Sequence, residues 1–157
     1  MKIRLDGQVA IVTGAGQGLG RTHALALAER GAKIVVNDLG QENGVSANAE
    51  AVATEIRDAG GEAIANGANV ADFEQVQNMV RQTLDEWGRV DILVNNAGIL
   101  RDKSFLKMAM EDFRLVIDVH LMGSANCCKA VWEIMREQGY GRIILTSSST
   151  GLYGNFG

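Results

Sequence analysis

The chain has 157 residues, of which 46% are hydrophobic and 22% are charged, and its formal net charge is −4. This length and composition fit one globular domain with its own core, and they exclude a disordered or fibrous protein. The acidic balance, without any block of lysine or arginine, argues against nucleic-acid binding, and no apolar stretch approaches the roughly 20 residues that span a bilayer.

Strand-like and helix-like stretches alternate along the whole chain. The predicted strands cover Val9 to Val12, Ala32 to Asn37, Ala63 to Ala65, Val90 to Val94 and Ile143 to Leu145. The predicted helices cover Leu19 to Ala28, Ser46 to Ala59, Asp72 to Trp87 and about Glu111 to Gln138. The last of them carries a predicted apolar stripe of Phe113, Ile117, Leu121, Val131 and Met135. This alternation is typical of an α/β fold with a doubly wound parallel sheet of the Rossmann type, and we expect the strand order 3-2-1-4-5. In that order ligands bind beyond the carboxyl ends of the strands, near strands 1 and 4.

A glycine-rich turn links the first predicted strand to the first predicted helix. In the absence of Cβ atoms, its backbone N–H groups can approach a phosphate closely, and the positive N-terminal end of the helix adds to the attraction. The sequence therefore predicts a pyrophosphate-binding turn for a dinucleotide. The residues concerned are Gly14, Gly16, Gln17, Gly18, Leu19 and Gly20.

Asp38 follows the second predicted strand, eighteen residues after Gly20. A carboxylate at this position can accept hydrogen bonds from both hydroxyl groups of an adenosine ribose, and it would repel a 2′-phosphate. The next residue is Leu39 rather than an arginine, so we expect NAD rather than its phosphorylated form as the cofactor. The alternative is that Asp38 is a turn residue in the run from Asn37 to Gly40.

Two later strand ends supply further candidates for the cofactor site. Asn69 could contact the adenine edge while Val70 covers its face, although a turn or capping role explains Asn69 nearly as well. Asn96, Ala97 and Gly98 follow the fourth predicted strand, where small residues would let a cofactor pass close to the backbone. An ordinary Asn/Gly turn is an equal alternative there.

Three motifs in this order resemble the short-chain dehydrogenase/reductase family. They are the glycine-rich turn from Thr13, the Asn-Asn-Ala-Gly sequence from Asn95 and the serine run from Ser147. The resemblance covers essentially the whole chain. A narrower resemblance is to the (3R)-hydroxyacyl-CoA dehydrogenase domains of peroxisomal multifunctional enzymes of type 2 and to their bacterial relatives. It lies in the stretches 20–40, 96–105 and 151–157.

The family resemblance implies an oxidoreductase that exchanges a hydride between NAD(P) and a secondary alcohol or ketone. The narrower resemblance implies an acyl-CoA thioester as the small-molecule substrate, with a steroid or another secondary alcohol as the nearest alternative. A non-catalytic module that only binds NAD(H) is the alternative from another class of protein. In either case we expect no nucleic-acid partner and no metal ion.

The family's catalytic group is a serine, a tyrosine and a lysine. The serine polarises the substrate oxygen, the tyrosine transfers the proton, and the lysine lowers the pKa of the tyrosine. By resemblance the serine is Ser148, with Ser147 and Ser149 as the neighbouring alternatives. A polar turn after the fifth strand is the other interpretation of all three.

Two features depart from the family pattern. The asparagine expected in the long helix is replaced by His120, which either holds a water molecule in the proton relay or is a core histidine bonded to a backbone carbonyl. The family tyrosine and lysine would fall beyond Gly157, and Tyr153 has no lysine four residues later. We therefore expect residues 1–157 to be the N-terminal part of a longer Rossmann domain. The family also implies that the long helix pairs with a second copy in a homo-oligomer.

The adjacent Cys127 and Cys128 are the only cysteines in the chain and lie in a predicted helix. This pattern indicates a reducing compartment rather than a disulfide-bonded secreted protein. The first ten residues show no secretory signal pattern. We expect a cytoplasmic protein, or a peroxisomal one if the source is a eukaryote.

Overall fold

The computed structural model describes residues 3–40, 44 and 46–154. The end of the narrower resemblance, residues 155–157, lies outside the described residues. One sheet of five parallel strands has the order β3-β2-β1-β4-β5, so the predicted fold and strand order are confirmed. The strands are β1 (Val9–Val12), β2 (Lys33–Asn37), β3 (Ala63–Asn66), β4 (Ile92–Asn95) and β5 (Arg142–Leu145).

The described residues form six α-helices around this sheet. They are α1 (Gly18–Ala28), α2 (Ala47–Asp58), α3 (Phe73–Trp87), α4 (Met110–Ile117), α5 (Gly123–Gln138) and α6 (Thr150–Tyr153). The sequence does not predict α6, nor a short 3₁₀ turn at Phe105–Lys107. Each of these elements is a single turn, which is too short for hydrophobic periodicity to show.

Side chains fix the starts of two of these helices. The Ser46 Oγ accepts a hydrogen bond from the Ala49 N–H at 3.3 Å and caps α2. At the start of α3 the Asp72 carboxylate accepts from the N–H groups of Glu74 and Gln75, at 3.0 and 3.2 Å. The hydrogen bond from the backbone of Gln75 is the main reason that the pKa of Asp72 lies below its ordinary value. Both helices therefore begin one residue after their capping residue.

The core lies on both faces of the sheet. Ala10 and Val12 of β1 pack in the layer with α1 and α2, whereas Ile11 packs in the layer with α3 and α5. All four residues of β1 are fully buried, because β2 and β4 pair with its two edges and helices cover both faces. β1 is therefore the central strand, and the turn that follows it lies at the middle of the carboxyl edge of the sheet.

The long helix predicted over 111–138 is interrupted. A π-helical turn at Asp118–Met122 joins α4 to α5. The Gly123 N–H donates to the carbonyl of Asp118, five residues earlier, where an α-helix would bond to the residue four earlier. The extra residue in this turn rotates the following helix by about 100° relative to an uninterrupted α-helix.

This rotation explains why the predicted apolar stripe of the long helix is wrong in its first half. Val131 and Met135 of α5 are buried in the core, as the stripe predicts. The three stripe residues before α5 are exposed instead, and they are Phe113, Ile117 and Leu121. The π-helical turn therefore separates an exposed apolar face from a buried one along the same rod.

Both cysteines are free thiols on α5. Cys127 is buried, and burial raises the pKa of its thiol to about 12. Cys128 is partly buried, and its Sγ lies 3.5 Å from the Nδ2 of Asn95. Along the described part of the chain, no helix has both the length and the apolar character needed to cross a membrane.

Candidate functional site

The turn between β1 and α1 brings backbone unusually close to other atoms. A Cβ on Gly14, whose φ is +61°, would lie 2.8 Å from the Cα of Ala97. On Gly16 a Cβ would collide with the carboxylate of Asp38, and on Gly20 it would collide with the carbonyl of Gly14. These glycines therefore let the turn pack directly against the ends of β2 and β4.

The N-terminus of α1 faces outward from this turn. Gln17 precedes the helix without making a side-chain cap, and the first turn contains no acidic residue. The first hydrogen bond of the helix is from the Arg21 N–H to the Gln17 carbonyl at 3.2 Å. Gln17, Gly18 and Leu19 are all exposed, so this end of the helix is open to an anion.

A threonine and an asparagine clamp the turn onto the end of β4. The Thr13 Oγ1 accepts hydrogen bonds from the N–H groups of Asn96 and Ala97, at 3.0 and 3.1 Å. In return, the Asn96 Nδ2 donates to the carbonyls of Thr13 and Gly14. The Asn96 side chain thus ties two strand ends together, a role beyond the cofactor contact or ordinary turn expected from the sequence.

Thr13 is not among the site residues predicted from the sequence. Thr13 is 1% exposed, and its hydroxyl also donates to the carbonyl of Val94 at 3.3 Å. Its signals in the sequence are its place directly after an apolar strand and at the start of the glycine-rich motif. The partners that make Thr13 important lie more than eighty residues further along the chain.

We expect Thr13→Val to destabilise the protein by about 1–3 kcal/mol, because the substitution leaves two backbone N–H groups without their acceptor. Valine has the same shape as threonine, so packing is preserved and the lost hydroxyl is isolated. Thr13→Ser keeps the hydroxyl and is the matched control. Urea denaturation measures both variants, and an unchanged midpoint for Thr13→Val would contradict the role of the clamp.

Asp38 lies beside the glycine-rich turn, as the sequence predicts for a ribose-binding carboxylate. Its Oδ2 accepts a hydrogen bond from the Gly16 N–H at 2.8 Å, and its Oδ1 accepts from the Leu39 N–H at 2.9 Å. Each carboxylate oxygen has two acceptor positions, so both can still accept from a ribose hydroxyl. Asp38 therefore both orders the turn and remains available to a ligand.

The turn after β3 contains the two candidates for adenine contact. The Asn69 Oδ1 accepts from the Ala71 N–H at 3.0 Å, and the Asn69 N–H donates to Gln75 Oε1 at 2.9 Å. Asn69 thus makes a turn contact, which is the alternative to adenine contact expected from the sequence. Val70 is only 6% exposed and packs in the core with α3 and α5, so little of its side chain faces outward.

His120 reaches the loop that follows β4. Its Nε2 lies 3.0 Å from the nitrogen and 2.9 Å from the oxygen of Ile99. One ring nitrogen either accepts or donates, so the tautomer decides which of these two bonds forms. Gly98 lies against the ring, because a Cβ there would be 2.6 Å from the Cε1 of His120.

The interpretation of His120 as a core histidine is wrong in one respect, since the residue is exposed. The same interpretation expects a bond from the ring to a backbone carbonyl, and the Nε2 of His120 does lie 2.9 Å from the carbonyl oxygen of Ile99. The Ser124 Oγ donates to the His120 carbonyl at 2.6 Å within the helical rod. His120 therefore joins the π-helical turn to the loop of Gly98 and Ile99.

Ser148 lies after β5 and is exposed, as are Ser147 and Ser149. Its Oγ accepts from the Thr150 N–H at 3.2 Å and lies 2.9 Å from the Thr150 Oγ1. These are the contacts of a polar turn that begins α6. Tyr153, at the end of α6, is 86% exposed.

The elements of the candidate cofactor site lie at one edge of the sheet. The glycine-rich turn, the open end of α1 and the carboxylate of Asp38 lie together at the carboxyl edge of the sheet. This edge also carries the turns that hold Asn69 and Gly98. The part of the chain that the structure describes holds no cluster of three metal-binding side chains. A parallel sheet with this order and this turn defines a Rossmann-type dinucleotide-binding domain.

Comparison with known proteins identifies the family. A family model described as short chain dehydrogenase matches residues 8–157. The chain therefore belongs to the short-chain dehydrogenase family of NAD(P)-dependent oxidoreductases, as the three motifs predict. The family resemblance is confirmed over nearly the whole chain.

Similar proteins come from animals and bacteria. The chain is 56% identical to the peroxisomal multifunctional enzyme type 2 of Drosophila melanogaster and 51% identical to that of Mus musculus, in each case over 99% of this chain. It covers 26% and 21% of those two proteins. A crystal structure of a short chain dehydrogenase from Mycobacterium avium matches with a TM-score of 0.92 and 44% identity, over 99% of this chain and 57% of that one. The chain thus spans much less than the full length of these relatives.

Proposed function

We propose that residues 1–157 are the cofactor-binding part of an NAD-dependent dehydrogenase that oxidises the 3-hydroxyl group of a hydroxyacyl-CoA thioester. The observation that carries this proposal is the 56% identity to a peroxisomal multifunctional enzyme type 2 across 99% of the chain. The site supports it, since the turn, the helix end and the carboxylate suit the pyrophosphate and the ribose of a dinucleotide. A homo-oligomer and, in a eukaryote, a peroxisomal location belong to the same proposal.

The choice of NAD rests on Asp38. Its carboxylate lies within 2.8 Å of the Gly16 nitrogen, at the side of the turn where an adenosine ribose would lie. A second negative charge on the 2′ oxygen of that ribose would meet this carboxylate at close range. Arg21 is the cation near the turn that would offset the charge of a 2′-phosphate. Its guanidinium is instead bonded to the carboxylate of Glu55 through two contacts of 2.7 Å.

The proposed roles follow from the contacts of each residue. Bound NAD supplies the acceptor for the hydride. The N–H groups of Gly18 and Leu19 would hold the pyrophosphate, and the Asp38 carboxylate would hold the ribose hydroxyls. His120 orients the loop of Gly98 and Ile99 by its bond to backbone. The Ser148 Oγ accepts both of its hydrogen bonds from Thr150, so its own proton is left to polarise the substrate oxygen.

The exposed apolar surface supports a longer domain and an oligomer. At the edge of the sheet, Ile144 and Leu145 of β5 are 50% and 58% exposed, and Trp132 of α5 is 62% exposed. Apolar side chains exposed to this extent on one edge mark a surface that another segment or subunit covers. We propose that further strands and helices of the same domain cover β5, and that a second copy covers the exposed face of α4.

The test is an assay of the full-length natural protein with NAD and either epimer of a 3-hydroxyacyl-CoA. We expect NADH to form with one epimer, and we expect NADH to bind at micromolar concentration. NADH binding without turnover on any 3-hydroxyacyl-CoA or steroid alcohol would favour a non-catalytic module. Failure to bind NADH at all would overturn the proposal.

A further inference from the structure

The π-helical turn and the start of α5 together contact both turns of the proposed cofactor site. In the loop after β4, where we propose that the cofactor passes on its way from the adenine half, the ring of His120 bonds to the backbone of Ile99. On the adenine side, the Asn126 Nδ2 donates a hydrogen bond to the carbonyl of Val70 at 3.0 Å. Asn126 lies 56 residues from Val70 in sequence, so this bond is a tertiary contact between α5 and the turn after β3.

A glycine lets this contact form. Gly123 is buried, and a Cβ there would lie 2.7 Å from the Cγ2 of Val70. Val70 therefore sits directly against the backbone of α5, one turn before Asn126. Gly123 and Asn126 are three residues apart in α5, which places them on the same face of that helix.

The π-helical turn sets the direction of this face. It ends where the Gly123 N–H bonds to the Asp118 carbonyl, and α5 begins at that residue. Without the extra residue of this turn, Gly123 and Asn126 would be rotated by about 100° relative to His120. The turn thus lets one rod hold two loops that lie on either side of the proposed dinucleotide site.

We infer that Asn126 is a positioning residue for the adenine half of the site, a role that rests on the proposed function. By holding the Val70 carbonyl, Asn126 fixes the turn in which the Asn69 side chain is ordered by its bond to the Ala71 N–H. Asn126 itself stays partly buried beneath the turn. Its effect on a ligand passes through the backbone of Asn69 and Val70.

The test compares the two halves of the dinucleotide in the full-length natural protein. Asn126→Leu and Asn126→Asp both remove the N–H donor, the first without adding charge and the second without changing volume. We expect each variant to weaken the binding of AMP and NADH by about 5- to 30-fold, as measured by calorimetry. The binding of nicotinamide mononucleotide should stay within about twofold of wild type.

Asn78→Asp is the matched control, because it makes the same chemical change on an exposed residue of α3. We expect it to bind all three ligands as wild type does. Unchanged AMP binding in both Asn126 variants would overturn the inference, and so would an equal loss for the two half-ligands. If the wild-type protein binds neither AMP nor NADH, the proposed function itself fails.

Discussion

Asp38→Ala is expected to weaken NADH binding by roughly 10- to 100-fold and to narrow the preference for NADH over NADPH. A hydrogen bond to a charged group contributes about 1.5–3 kcal/mol, and each 1.4 kcal/mol changes a dissociation constant about tenfold. The alanine variant also frees the Gly16 N–H that Asp38 now binds. Titration of both dinucleotides, followed by their fluorescence, measures the change.

Asp38→Asn separates the two roles of this carboxylate. Asparagine keeps a carbonyl oxygen for the Gly16 N–H, but it removes the negative charge that would repel a 2′-phosphate. We therefore expect Asp38→Asn to bind NADPH more tightly than wild type does, while retaining more NADH affinity than the alanine variant. If both variants keep the wild-type preference, Asp38 does not contact the ribose.

Asp91→Ala is expected to lower the free energy of unfolding by about 2–4 kcal/mol. The Asp91 side chain is fully buried just before β4, and it accepts hydrogen bonds from the Val9 N–H at 2.9 Å and from Arg89 at 2.7 Å. Alanine leaves that N–H without its acceptor inside the core. Arg89 is 47% exposed and can turn to water, which keeps the cost below that of a fully buried pair.

The same motif on the surface supplies the control for Asp91. Arg4 and Asp6 have the same spacing as Arg89 and Asp91 and form a similar two-bond pair, but both side chains are more than half exposed. We expect Asp6→Ala to leave the urea midpoint unchanged, since water replaces an exposed partner. If Asp6→Ala and Asp91→Ala shifted the urea midpoint equally, burial of the carboxylate would not be what determines the loss of stability.

The architecture is readable from the sequence because each signal is local. Val9–Val12 is an unbroken apolar run, and the glycines after it mark the turn without any knowledge of distant residues. The strand order then follows from the rules for alternating strands and helices. The position of Asp38 beside the turn follows from that order.

The features that the sequence does not reveal depend on distant partners or on a single extra residue. The π-helical turn at Asp118–Met122 adds one residue to a helix, and hydrophobic spacing on either side looks continuous. Thr13 and Asn126 are ordinary polar residues in the sequence. They gain their roles only when residues such as Ala97 and Val70 are brought beside them by the fold.

The central place of β1 has a consequence for how the chain is made. β1 leaves the ribosome well before β4, because Val9 and its partner Asp91, just before β4, are 82 residues apart. At roughly 5–20 residues per second, about 4 to 16 s separate the synthesis of the two. Throughout that interval one apolar edge of β1 lacks its strand and can pair with other chains. The clamp between Thr13 and Asn96 cannot close until the interval ends, so the nascent chain is prone to aggregation before it can bind a cofactor.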